Sequence, residues 1–315
     1  MLNFMPLMST SASQTTGEKI PHILATLLCF LTLCLLFVGA MVTSTSSGLS
    51  VPDWPTTFGQ NMFAYPLSAM RGGVVYEHSH RLFASTVGML TILLAISVWI
   101  WEPRRWIRKL SLTALVLVCL QGLLGGLTVK FKLPVAVSSM HAGLAELFFC
   151  AMLWLSAATS PIWKKTPAWR TNPVSRVAFL LMALLFIQII IGAIMRHSYA
   201  GLAIPTFPKA FDYWIPPFWN SGIALNFAHT RIGPLLIIPG CLLFVTSLLR
   251  QTGSRKSGWL LFAILVLQVN LGILTVLSGK APWIASLHLA MGALLFGTLF
   301  SIGLWSGKRS FGIRT

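Results

Sequence analysis

Four of the seven histidines in this 315-residue chain fall into two matched pairs. His80 stands in "EHSHR" and His229 in "NFAHTR". His141 stands in "SSMHAGLAELFF" and His288 in "ASLHLAMGALLF". Each lies within the first residues of a long apolar run, where ionisable groups are costly and usually functional. Each half of the chain thus offers two imidazoles. Zinc prefers three or four protein ligands from Cys, His and carboxylate, and no third ligand recurs with the pairs. Axial ligation of haem, with one imidazole on each face of the macrocycle inside a helical bundle, fits better. The expected ligand sets are His80 with His141 and His229 with His288. Arg81 and Arg231, just after two of these histidines, are candidates for contacts to the propionates.

The halves differ at one acid. Glu77 precedes His80 by three residues and shares its helical face, whereas the second half has Asn226 there. A carboxylate beside a macrocycle can move protons or stabilise positive charge in a transition state. It can also simply pair with Arg81 at i,i+4. The asymmetry assigns chemistry to the first half and a resident redox haem to the second. His78 faces away from His80, and both His78 and His197 read as loop or interface residues. Glu146 is a second acid within a span, matched in the other half by Ala293. Asp53, in "VPDWP", reads as a loop-shaping residue.

These residues need elements to hold them. The chain is 56% hydrophobic and 9% charged, with a mean hydropathy of +0.79. That composition indicates a polytopic membrane protein. The formal net charge of +17 does not indicate nucleic acid, because the cations sit in short blocks between apolar runs. Eight spans are expected, over 22–43, 79–101, 110–129, 138–158, 175–195, 223–249, 258–278 and 283–305. Basic blocks "EPRRWIRK", "WKKTPAWRTNPVSR", "RQTGSRKS" and "GKRSFGIRT" fall on one side, which places both termini in the cytoplasm. The first twenty residues show no Arg-rich presequence, and the first span is too long for a signal peptide, so a bacterial inner membrane is expected. All five cysteines lie in apolar spans and read as small buried hydrophobes. The outer loops contain none that could form a disulfide.

An internal repeat organises the spans. "VGAMVTSTSSGLSVPDWP" (38–55) aligns with "IGAIMRHSYAGLAIPTFP" (191–208), and "LQGLLGGLTV" (120–129) with "LQVNLGILTV" (267–276). The expected fold is therefore all-α: two parallel four-helix bundles related by a pseudo-twofold axis along the membrane normal. The N-terminal half covers 22–158 and the C-terminal half 175–305. A linker (159–174) joins them, with cytoplasmic tails at 1–21 and 306–315. The long segments 44–76 and 196–222 are equivalent outer loops that cap each half.

Taken together, these motifs resemble the haem A synthases of bacteria and mitochondria. The resemblance covers nearly the whole chain and rests on "SGLSVPDWP", "EHSHR", the four paired histidines and the two "LQ…LTV" segments. It implies oxidation of haem O to haem A, in which a ring methyl becomes a formyl group through successive hydroxylations and loss of water. It implies haem b held by His229 and His288, haem O received by His80 and His141, and Glu77 as the essential acid. Some members carry a cysteine pair in each outer loop; this chain matches the cysteine-free pattern. The implied partners are a protohaem farnesyltransferase that makes haem O, a membrane electron donor and membrane lipid, with a homo-oligomer also expected. Two rivals remain: a bis-histidine cytochrome b that only transfers electrons, and a transporter. The pigment content of the purified protein separates all three.

Overall fold

A computed structural model describes residues 16–308. The two tails expected at 1–21 and 306–315 lie mostly outside that range. What is described of the first is helical, because α1 (Thr16–Ser44) begins six residues before the expected boundary. The spans that follow are α2 (Gly73–Trp101), α3 (Arg105–Lys130) and α4 (Val135–Thr159). A five-residue helix, α5 (Pro161–Lys165), lies in the linker. The second half holds α6 (Pro173–His197), then a sixth span built of α7 (Ser221–Phe227), a π turn (Ala228–Ile232) and α8 (Gly233–Arg250), then α9 (Arg255–Leu277) and α10 (Pro282–Ser306). Among the described residues, eight helical stretches are long and apolar enough to cross a membrane. In hydrocarbon every backbone N–H and C=O must be satisfied within the protein, so apolar runs of this length become helices.

Local chemistry sets the helix ends. Asn172 closes a capping box on α6 with Ser175, and Pro173 stands in the first turn. Asn220 caps α7 through the Ile223 N–H. Pro282 opens α10. Most spans start earlier than hydropathy suggests, since a helix continues into the interface beyond its apolar run. As a result the 77–81 cluster lies a full turn inside α2 rather than at its mouth.

Within the first half, α1 packs on α2 and α4, and α3 on α2 and α4. In the second, α6 packs on α8 and α10, and α9 on α8 and α10. The halves meet through α1 on α10, α4 on α6 and α4 on α10. The central helices are α4 and α10: 61% and 56% of their apolar windows are buried, against 17–33% for the other six spans. Arg196, near the end of α6, ties the halves together by donating to Ala40 O and Ser44 Oγ of α1, each at 2.6 Å. Ser44 Oγ also meets Ser286 Oγ of α10 at 2.9 Å. Of the cysteines, Cys150 and Cys241 are buried, but Cys119 is exposed on the outer surface of α3 and all five are free thiols.

Candidate functional site: two histidine pairs beneath matched loops

Each of the four histidines rests against a glycine of the neighbouring helix. A Cβ at Gly39 of α1 would lie 2.9 Å from Cε1 of His80, and one at Gly192 of α6 only 2.5 Å from Cε1 of His229. Gly272 of α9 stands under His288 at 2.9 Å and Gly125 of α3 under His141 at 3.5 Å. At Gly39, Gly192 and Gly272 only a residue without a side chain lets the imidazole lie this close, whereas at Gly125 a Cβ would make an ordinary contact. Gly125 and Gly272 occupy the same place in the two "LQ…LTV" segments, and Gly39 and Gly192 the same place in the other repeated segment.

The His229 and His288 rings are 6.4 Å apart between centroids and nearly perpendicular, at 87°. Two imidazoles on opposite sides of one ion at about 2.0–2.1 Å would place their centroids about 6.3 Å apart. The second-half pair has a spacing compatible with one ion held between opposed rings. Its Nδ1 atoms are turned away from the partner ring, His229 toward Gln188 O and His288 toward Gln268 O, both at 3.2 Å. A backbone carbonyl at Nδ1 fixes the tautomer and leaves Nε2 as the ligating atom. Gln188 also donates from Nε2 to His229 O at 2.6 Å.

The first-half pair is held differently. His141 lies within electrostatic range of His80, and Gln121 donates to His141 O at 3.0 Å. Yet Nδ1 of His80 and Nδ1 of His141 are both buried without a hydrogen-bond partner. Among the described residues no group of three or more His, Cys, Asp or Glu that could hold a metal ion comes together. Paired, glycine-seated imidazoles inside helical bundles fit a haem in each half.

Glu77 is 3% exposed, and both carboxylate oxygens are engaged. Oε2 accepts from the Val51 N–H at 2.8 Å and Oε1 from Arg81 at 2.6 Å. Arg81 also donates to the carbonyls of Val51, Asp53 and Thr56. The i,i+4 ion pair weighed from the sequence is thus present, and it clamps the outer loop to α2. In the second half Arg231 donates to Thr206 O and Lys209 O, which stand 153 residues after Asp53 and Thr56. Asn226 takes the place of Glu77 and donates to Ala200 O and Gly201 O. Both arginines spend terminal donors on loop carbonyls, while Nε of Arg231 is buried without a partner and remains free for a propionate.

The π turn resolves an irregularity in the alignment. Arg81 follows His80 directly, whereas Thr230 separates Arg231 from His229. A π turn absorbs one extra residue, and here it returns Arg231 to the loop carbonyls that correspond to those of Arg81.

The remaining candidates separate. Asp53 shapes its loop as expected: it accepts from Thr56 Oγ1 and from the Phe58 and Gly59 N–H groups, the latter two at 2.8 Å. Its slight burial raises the carboxyl pKa, but these hydrogen bonds outweigh that and hold it at about 2. His78 is not a loop or interface residue. It is fully buried, with Nδ1 3.1 Å from Thr57 Oγ1, Tyr65 packed on its ring and Nε2 unpartnered. The loop that folds over it is non-local, so the spacing within "EHSHR" carried no signal of that burial. His197 ends α6, half-buried and within range of His141. Glu146 is buried in α4 with Oε2 unpartnered. The glycine seats were also missed, although the repeat had already aligned Gly39 with Gly192.

Known proteins are similar to this chain along most of its length. A family model described as cytochrome oxidase assembly protein (COX15-CtaA) matches residues 22–300. A protein of Halalkalibacterium halodurans named haem A synthase is 29% identical over 273 residues, covering 84% of this chain and 89% of that protein. One of the same name from Shouchella clausii is 29% identical over 287 residues, 86% of this chain and 90% of its own. Another, from Nitrosomonas eutropha, is 28% identical over 329 aligned positions, 88% of this chain and 90% of its own.

Proposed function

This chain belongs to the cytochrome oxidase assembly protein family, and on that premise we propose that it is a haem A synthase, an oxidoreductase that converts a ring methyl of haem O to a formyl group. The relatives so named favour this reading over a cytochrome b that only passes electrons. The observation that carries the division of labour is the unequal anchoring of the two histidine pairs. His229 and His288 are fixed at Nδ1 by backbone carbonyls, as suits a permanent ligand set; His80 and His141 are not. We therefore assign resident haem b to the C-terminal half (175–305) and substrate haem O to the N-terminal half (22–158).

Bound between His229 and His288, haem b supplies one-electron transfer. The chain's own groups do the rest. His80 and His141 orient the substrate macrocycle, and their free Nδ1 atoms leave the rings able to release it. Glu77, three residues before His80 and held by the Val51 N–H and by Arg81, is the acid placed nearest the substrate site by sequence. Arg81 holds that carboxylate in place and closes the loop over the site, which excludes water. The matching of α1–α10 with α6–α4 contacts across the halves supports a pseudo-twofold axis along the membrane normal. The distribution of cations supports a topology with both termini on the cytoplasmic side. A water-insoluble substrate favours direct hand-over from a farnesyltransferase, with electrons from a membrane donor and the chain able to self-associate.

Purified protein should yield haem b together with haem O or haem A on pigment extraction. Glu77→Gln should keep haem b and lose tenfold or more of haem A formation. Undiminished haem A in that variant would remove Glu77 from the chemistry, and haem b alone in the wild type would favour the cytochrome.

A further inference from the structure

A cavity of about 760 Å³ opens at the opposite end of the bundle from the histidines, where α3, α4, α6, α10 and the 160–172 linker converge. Its wall is aromatic. Trp106 and Trp154 lie 6.1 Å apart between centroids, and Phe300 meets both Trp154 and Phe179 edge-on. Trp169 closes one side, donating from Nε1 to Leu304 O. Trp106, Trp154 and Trp169 remain 41%, 37% and 40% exposed even though they line a cavity.

Its rim is cationic. Arg104, Lys164 and Lys308 border the cavity, and the acid beside them, Glu102, is consumed by a bidentate pair with Arg104 at 2.7 Å. Lys308 lies 4.5 Å above the Trp163 ring and donates to Thr166 O. Burial lowers the pKa of Lys308, and repulsion from Arg104 adds to the effect. Three cations thus crowd around an apolar slot with one carboxylate among them. An anion at the rim would relieve that repulsion, and alkyl chains on the tryptophans would cover the exposed rings.

From this geometry we infer that the cavity is a binding site for an acidic phospholipid, whose phosphate is held by Lys164 and Lys308 beside the Arg104–Glu102 pair and whose acyl chains lie on Trp106, Trp154 and Phe300. A bilayer supplies that chemistry in abundance, and basic pockets between spans on the cytoplasmic side are suited to anionic headgroups. A neutral quinone would use the aromatic wall and leave the cations unanswered. The site touches none of the histidines and does not depend on the haem reading.

The test is lipid retention. Full-length protein in detergent, equilibrated with equal phosphatidylglycerol and phosphatidylcholine, is examined by native mass spectrometry. Phosphatidylglycerol should be kept selectively. Lys164→Gln, an exposed change that leaves the fold alone, should reduce retention about fivefold, and Lys164→Gln with Lys308→Gln about twenty-fivefold. Lys256→Gln, at the same end of the bundle on α9, should change nothing. Equal retention of the two lipids would overturn the proposal, as would retention of phosphatidylglycerol by the double variant at the wild-type level. Ubiquinone binding in place of phospholipid, indifferent to both lysines, would overturn it as well.

Discussion

A histidine that binds a macrocycle needs room on the side away from it, and here that room is a missing methyl group. Gly192→Ala would put a Cβ 2.5 Å from the His229 ring. Overpacking of this kind costs about 1–3 kcal/mol, and the ring would have to leave the geometry that pairs it with His288. The visible spectrum of the resident haem should weaken or shift, while Gly88→Ala, with open space around its Cβ, should leave it unchanged. Equal spectra in the two variants would show that the seat does not matter. At this scale the sequence was informative where the repeat made it so. Four histidines with repeat partners pointed to the proposed ligand sets, and Asn226 opposite Glu77 marked the difference between the halves. What remained hidden depended on contacts distant in sequence. The burial of His78 comes from Thr57 and Tyr65, and the engagement of Glu77 comes from Val51. No spacing rule reaches across a loop of that length.

At the level of elements, the outer loops are structured caps rather than slack connections. Residues 45–72 are pinned by Asp53 on Phe58 and Gly59 and by Arg81 on three carbonyls. Trp54 lies on α3, where a Cβ at Gly126 would meet its ring at 2.5 Å. Because Asp53 titrates lower in the folded loop than its ordinary 3.8, its support is complete above about pH 4 and disappears as the pH falls toward about 2. Asp53→Ala should show the loosened state at neutral pH, as faster amide exchange at Phe58 and Gly59. Unchanged exchange would mean that the arginine clamp suffices. The π turn makes a second prediction at this scale. Deleting Thr230 should convert it to regular α-helix with His229 still on Gly192 and the arginine still on the 206–209 carbonyls. Haem b should therefore be retained, at a stability cost of about 1–3 kcal/mol, the weight of the hydrogen bonds Thr230 makes to Asn226 and accepts from Arg231. Loss of haem in that deletion would show that the π geometry itself is required. Hydropathy located the eight spans within a few residues but could not show this turn, whose one trace was a single-residue slip between "EHSHR" and "NFAHTR".

For the whole molecule, the two halves share α4 and α10 as a common centre, and Arg196 joins them through α1. A hydrogen bond from a charged donor is worth about 1.5–3 kcal/mol, and a buried acceptor left without its partner costs a similar amount. Arg196→Met should therefore lower the thermal midpoint of the intact protein by several degrees, and an unchanged midpoint would show that packing alone holds the halves together. The unequal anchoring of the two histidine pairs has a consequence at this scale as well. An imidazole that donates from Nδ1 to a carbonyl is a more basic ligand, and a more basic axial ligand favours ferric over ferrous iron. The haem between His229 and His288 should then have the lower midpoint potential, and a potentiometric titration of protein with both haems loaded should resolve two components in that order. The anchoring that would keep one haem in place would also set its potential apart from that of the other.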